Sequence, residues 1–258
     1  MKKNNFIYLM IALNISFSLT QEYLKLVSFN IHGFKQSKNL NRINEIIDNL
    51  DGFDIILLQE NWGYQNLFLK RLKNFNFFFG DTKRVSFLDT GLTNSFSNRI
   101  NILEYEEMLF TNCSGYLFRG SDCLSSKGCV YSKINFKGNI IDIFNTHLDS
   151  GVSKKDKITR QKQINELKEF IKSKKSNMPF IVCGDFNIDY FSNEKKVIEK
   201  FMLDLNLDII NLNKKYNGNK KIDYILSSKI ENLMHLKLND RLYHLSDHYP
   251  ESVMFQIR

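Results

Sequence analysis

Six apolar runs in this 258-residue chain each border on a residue of catalytic type, and that regularity limits the fold more than any other feature. Asn30 follows Leu-Val-Ser-Phe, and Glu60 follows Ile-Ile-Leu-Leu-Gln. His147 follows Ile-Phe-Asn-Thr, while Asp185 and Asn187 follow Ile-Val-Cys-Gly. Asp223 opens Tyr-Ile-Leu, and Asp247 and His248 precede the last apolar run. Any one of them is most simply a turn or cap residue. Six sets, all Asn, Asp, Glu or His, call for strands that finish on one edge of a sheet and deliver polar groups to one place.

The runs themselves read as strands. Residues 24–31, 53–59, 100–110, 128–136, 140–146, 179–183, 222–226 and 252–257 are rich in Ile, Val, Phe and Tyr. Amphipathic helices fall between them. Residues 41–50 carry Ile43, Ile46, Ile47 and Leu50 at the spacing of one buried face, and 158–171 and 194–205 repeat it. Strands alternating with such helices predict a layered α/β fold. Only two prolines occur and no Gly/Ser/Pro-rich linker interrupts the chain, so residues 21–258 are expected to form one domain.

Residues 1–20 are read as a signal peptide. Met1-Lys2-Lys3 is basic, residues 6–15 are mostly apolar, and Ser16, Ser18 and Thr20 are small. The apolar run is short for a membrane span, so a secreted protein is expected. Such a compartment permits disulfides. Cys113 and Cys123 lie in a loop-like stretch and are candidates for pairing; Cys129 and Cys183 lie in apolar runs and are read as buried thiols. No cysteine spacing suggests zinc. The net charge of +8 suits a polyanion or an anionic membrane surface, but a lysine-rich solvated face explains it equally well.

The ordered set Ser28-Phe29-Asn30, Leu58-Gln59-Glu60, Asn145-Thr146-His147-Leu148, Gly184-Asp185-Phe186-Asn187, Ile222-Asp223-Tyr224-Ile225 and Ser246-Asp247-His248 resembles the endonuclease/exonuclease/phosphatase (DNase I-like) superfamily. The resemblance covers nearly all of the chain beyond residue 20. It implies a four-layer α/β sandwich, with two central mixed β-sheets flanked by helices. Within the superfamily, Asn112-Cys113-Ser114-Gly115 followed by residues 122–134 is similar to the secreted neutral sphingomyelinases of bacteria, as is the helix from Thr159-Arg160-Gln161 into Gly184-Asp185. Extra residues separate Gly115 from Asp122 here. Between Asp223 and Asp247 there is little room for the aromatic-tipped hairpin that the haemolytic members insert into membranes. Phe75, Phe77, Phe78 and Phe79 are read as a buried strand rather than as its replacement.

A phosphodiester resists attack because its anionic oxygens repel the nucleophile and its leaving oxygen is poor, so catalysis needs charge neutralisation and an activated water. Glu60 is the expected ligand of Mg²⁺, with Mn²⁺ or Co²⁺ as alternatives, and the resemblance adds Asn30. His248 is the expected general base, with Asp223 holding its tautomer. By the same resemblance Asp247 contacts the metal or positions the base, Asp185 and Asn187 orient the nucleophile, and His147 donates to a phosphate oxygen. Lys127 and Trp62 are candidates for substrate binding; His32, His235 and His244 are given no role, and His32 is read as mainly structural. The leading reading is a phospholipase C-type hydrolysis of sphingomyelin at a phospholipid surface, by a monomer without a stable protein partner. A secreted DNase I-like endonuclease acting on nucleic acid is the alternative. A phosphoinositide phosphatase and a catalytically silent binding module are weaker.

Overall fold

The computed structural model describes residues 22–34, 40–82, 86–116, 122–174, 177–210, 220–228, 233–235, 238 and 240–257. The expected leader and part of the stretch between Gly115 and Asp122 lie outside the described residues. Within them the strands are β1 (Glu22–Asn30), β2 (Ile55–Gln59), β3 (Phe75–Phe79), β4 (Thr93–Ser97), β5 (Asn101–Leu109), β6 (Gly128–Phe136), β7 (Asn139–His147), β8 (Phe180–Asp185), β9 (Asp208–Ile209), β10 (Asp223–Ser227), β11 (Leu233–His235) and β12 (Glu251–Ile257). The helices are α1 (Leu40–Leu50), α2 (Gln65–Arg71), α3 (Lys154–Lys174) and α4 (Lys195–Leu205).

The strands form two six-stranded mixed sheets, ordered β11-β12-β1-β2-β4-β3 and β5-β6-β7-β8-β10-β9. Each sheet contains one parallel pair, β1 with β2 and β7 with β8. Parallel strands covered on both faces read as continuous apolar runs, and β2 and β8 are buried at every residue. The core between the sheets is built from Leu26, Leu57, Phe96, Ile143, Ile181, Ile225 and Phe255 among others. On the outer face of the first sheet, Ile43, Ile46, Ile47 and Leu50 of α1 and Phe68 of α2 pack against Val27, Phe29, Ile56 and Leu58. On the outer face of the second sheet, Ile164 and Leu167 of α3 and Ile198 and Phe201 of α4 pack against Phe144, Val182 and Tyr224. The result is the four-layer sandwich implied by the sequence.

Differences from the sequence reading sit at the edges. β3 holds Phe75 to Phe79 as expected of a strand, but four of its five residues are only half-buried, and Asn76 is exposed. β4 has the polar sequence Thr-Asn-Ser-Phe-Ser, so its apolar signal is weak, yet four of its five residues are buried. Several of its polar groups are satisfied inside: Asn94 Nδ2 donates to Ser132 Oγ at 3.1 Å, and Ser95 Oγ donates to the Ile56 carbonyl at 2.9 Å, while Asn94 Oδ1 is buried without a partner among the described residues. Cys113 and Cys123 form a disulfide, and Cys129 and Cys183 are buried free thiols.

Candidate active site

Register explains why the catalytic-type residues meet. Asn30 ends β1 opposite Gln59, so Glu60 emerges beside it at the same end of the first sheet. His147 ends β7 opposite Asp185, which ends β8, and Asp223 at the start of antiparallel β10 also faces Asp185. β12 runs antiparallel to β1, with Glu251 opposite Ser28, which brings the preceding Ser246-Asp247-His248 over the end of β1. Ser246 Oγ donates to the Asn30 carbonyl at 2.8 Å, and His248 N–H donates back to Ser246 Oγ at 3.3 Å.

The side chains then bridge the gap between sheets. Asn30 Nδ2 donates to Glu60 Oε1 at 3.2 Å and to Asp185 Oδ2 at 3.1 Å. His248 Nδ1 lies 2.9 Å from Asp223 Oδ2, and its Nε2 faces Asp185 Oδ2 at 3.7 Å. His147 Nε2 lies 3.4 Å from Asp185 Oδ2 and 3.8 Å from Glu60 Oε1. Lys127, buried just before β6, places Nζ 2.8 Å from that same Nε2. Asn187 N–H donates to Asp185 Oδ1 at 2.9 Å, and its amide group donates to the Leu148 carbonyl at 3.0 Å. Three of the five described non-glycine residues with positive φ lie here, namely His32, Glu60 and Asn187. Such backbone strain persists only where the surroundings over-determine it.

Asp247 and Trp62 stand further out. Asp247 is exposed at the rim, with Oδ1 at 3.6 Å from His32 Nδ1. Trp62 Nε1 donates to the Asp89 carbonyl at 3.0 Å, and the ring lies over Gly91, where a Cβ would come within 2.5 Å of Nε1. Trp62 lines a cleft of about 250 Å³ together with Glu60, Lys127, Phe34, Leu88 and Leu124. The residue that sequence reasoning passed over is His32. Its Nδ1 is 3.4 Å from Glu60 Oε2, while Arg42 holds its carbonyl and Asn30 Oδ1 accepts its N–H. The signal was its place two residues beyond Asn30 and directly before Gly33, in a turn whose glycine Cβ would meet the Glu60 carbonyl at 2.4 Å.

The electrostatics separate the groups. Burial drives the His147 imidazole well below its usual range, and Lys127 adds to this. Burial opposes protonation of His248, but Asp223, Asp185 and Asp247 overcome it and push the imidazole up to about 11. Burial, aided by Asp223, pushes Asp185 up to about 7. Burial works against ionisation of Glu60 too, yet His32, His147, Lys127 and Asn30 together hold its carboxyl well below the usual range. Glu60 is therefore an ionised carboxylate facing the cleft, the donor a hard divalent cation takes. The expected carbonyl of Asn30 is engaged by the His32 N–H, and its NH₂ faces the carboxylates. Asn30 therefore offers its oxygen to a cation only by turning its amide over. Ligand atoms of Asp185, Asp223 and His248 also lie within 4.8 Å of one another, a second group able to hold a cation.

The model of the Endonuclease/Exonuclease/phosphatase family matches residues 27–248. The chain belongs to that family. Within the family it is 36% identical over 80 residues to the sphingomyelinase C of Leptospira interrogans. That match takes in 29% of this chain and only 14% of the relative's length. Among solved structures, sphingomyelinase C from Streptomyces griseocarneus superposes with a TM-score of 0.69 at 17% identity, over 92% of this chain and 100% of the other. A mutant beta toxin of Staphylococcus aureus with bound magnesium ions gives 0.73 at 19% identity, over 92% and 100%. D. rerio TDP2 complexed with a single-strand DNA product gives 0.68 at 19% identity, over 91% and 99%. At these identities the structural likeness establishes the fold, and the family match makes the chain one of its metal-dependent hydrolases. No helix among the described residues is long and apolar enough to cross a membrane.

Proposed function

We propose that this chain is a secreted, Mg²⁺-dependent phosphodiesterase that hydrolyses sphingomyelin to ceramide and phosphocholine. The observation that carries the reading is the composition of the cleft. Glu60, Asp122 and Lys127 line it with charge, and Phe34, Trp62, Leu88 and Leu124 line it with apolar surface. Such a cleft suits a zwitterionic headgroup attached to apolar chains. A lipid surface as partner has its own support: Phe34, Phe87, Tyr116, Val152 and Phe191 are exposed, one on each of five loops at the edge where the site lies. Isolated exposed apolar residues are ordinary; one on each of five loops around a cleft is the pattern of an interaction surface.

In this reading Glu60, and Asn30 with its amide turned over, would hold Mg²⁺, which would supply positive charge against the phosphate and the departing oxygen. Asp185 and Asn187 position a water within reach of His248 Nε2. For His248 to take a proton from that water as its oxygen attacks phosphorus, the imidazolium that Asp223, Asp185 and Asp247 favour must first release its Nε2 proton, while Asp223 keeps Nδ1 protonated. The bond from phosphorus to the ceramide oxygen breaks, that oxygen leaves with the bonding pair and takes a proton from solvent, and His248 returns to solvent the proton it took from the attacking water. Lys127 and His147 face the phosphate oxygens, with the lysine as the fixed cation. Asp247 holds His32 at the rim, and Trp62 walls the headgroup. The second reading, an endonuclease of the DNase I type, draws on the likeness to a DNA-bound structure and on the net charge of +8.

The test presents sphingomyelin vesicles, phosphatidylcholine vesicles and plasmid DNA, each with Mg²⁺ and with EDTA. Phosphocholine release from sphingomyelin only when Mg²⁺ is present is the expected result. Plasmid nicking without lipid turnover overturns it in favour of the nuclease.

A further inference from the structure

Beneath the site lies a charged pair that none of the chemistry above uses. Lys221 and Glu251 are essentially inaccessible to solvent, and Lys221 Nζ donates to Glu251 Oε1. Burying two ions is expensive, and replacing such a pair by apolar residues is often neutral or stabilising. Stability alone is therefore a poor reason for a chain to hold one.

Its position supplies another reason. Lys221 lies two residues before Asp223, on the approach to β10 in the second sheet. Glu251 lies three residues after His248 and opens β12 in the first sheet. The ion pair thus joins, across the gap between sheets, the two segments that carry Asp223 and His248. The Lys221 end is fixed by its own contacts. Its N–H donates to Asp189 Oδ1 at 3.1 Å, and its carbonyl accepts from Tyr190 N–H at 2.9 Å and from Tyr224 Oη at 2.7 Å. The Glu251 end is fixed by pairing with Ser28, two residues before Asn30. The 2.9 Å contact of His248 Nδ1 with Asp223 Oδ2 is consequently made by two segments that nothing in either sheet's own ladder holds together.

We propose that Lys221 and Glu251 are positioning residues that set the separation of Asp223 and His248. The pair carries a directional hydrogen bond strengthened by its low-dielectric setting, whereas apolar burial is non-directional. This inference rests on His248 acting with Asp223, as in the proposed function, but not on the identity of the phosphodiester.

The experiment replaces both partners together, Lys221→Met with Glu251→Leu, so that no buried charge is left alone. Thermal melting reports whether the variant folds. The proton on His248 Nδ1, observed by NMR in the absence of substrate, reports the dyad itself, and kcat and KM report the reaction. Expected are a melting temperature at or above that of the parent, a displaced or lost Nδ1 proton signal, kcat lower by at least tenfold, and KM within about twofold. The Lys221→Arg variant, which keeps the charge, should recover much of kcat. A folded double variant with an unchanged Nδ1 signal and unchanged kcat overturns the proposal. Should the double variant not fold, the Glu251→Asp variant, which keeps the charge but shortens the arm by one methylene, decides: a displaced Nδ1 signal in the folded protein supports the proposal, and an undisplaced one overturns it. Because the NMR signal is read without substrate, its outcome stands even where the protein cleaves DNA rather than sphingomyelin.

Discussion

Replacing Asp223 by Asn tests the base assignment more sharply than deleting the histidine. In the native arrangement His248 Nδ1 donates to a carboxylate that lies 2.9 Å away and is a chief cause of the imidazole being pushed up to about 11. Asparagine is isosteric and keeps the contact, but it removes the charge. It can also present its NH₂ to Nδ1, which stabilises the tautomer protonated on Nε2, the wrong nitrogen for a base facing Asp185. Loss of a positioned base is worth roughly 10²–10⁴ in rate, and a wrong tautomer in the Ser-His-Asp triad costs about 10⁴. Asp223→Asn is therefore expected to lower kcat by roughly 10³ with substrate binding little changed. The linkage has a definite sign. A histidine whose folded value exceeds its unfolded one contributes stability that is fully present below the unfolded value of 6.5 and is lost as pH rises through about 11. In Asp223→Asn that loss moves to lower pH. Long-range ¹⁵N–¹H spectra of EDTA-treated protein over a pH series show the tautomer and the midpoint together. A variant that keeps parental kcat, or whose His248 midpoint does not fall, would refute the reasoning.

Glu60→Gln should weaken Mg²⁺ binding by calorimetry and lower Mg²⁺-dependent turnover by about 10²–10³, since a neutral amide replaces a carboxylate held ionised at the cleft. Breaking the Cys113–Cys123 disulfide by Cys113→Ser with Cys123→Ser, which opens a loop of sequence separation 10, should destabilise the fold by roughly 2–3 kcal/mol in chemical denaturation. Arg160→Met should destabilise by about 3–5 kcal/mol. The buried guanidinium holds the carbonyls of Asp149, Ser150 and Gly151 and both oxygens of Glu194, so chemical denaturation should show the loss.

The strand-end residues were legible because a parallel pair in each sheet puts the ends of two apolar runs at one edge. Asn30 with Glu60, and His147 with Asp185, needed only that. Lys127 was harder, because its place against His147 depends on the antiparallel register of β6 with β7, in which Gly128 faces His147. Sequence pattern does not give a register. β4 was missed because its polar side chains bond to groups of the neighbouring strands β2 and β6 inside the sandwich, and polar runs otherwise signal loops. Lys221 and Glu251 were invisible for a related reason. A lone lysine and a lone glutamate read as surface, and only the meeting of two sheets buries them together.

The site is divided between the sheets, and that division makes a prediction of its own. The first sheet and its flanking turns supply Asn30, Glu60 and His248; the second supplies Lys127, His147, Asp185, Asn187 and Asp223. The contacts Asn30–Asp185, His147–Glu60 and His248–Asp223 all cross the gap. Their lengths follow the packing between the sheets rather than the order within either one. Leu57→Ala opens a cavity in the core between the sheets, while Ile198→Ala opens one between α4 and the outer face of the second sheet. Both should destabilise by about 2–5 kcal/mol, because both side chains are wholly buried. Only the first lets the sheets shift relative to each other, and displacements of about 1 Å can change rates by about 10². Measured well below both melting temperatures, kcat should fall tenfold or more in Leu57→Ala and stay near the parent value in Ile198→Ala. Equal losses in the two variants would mean that the site follows global stability, and that the gap between the sheets has no separate control over it.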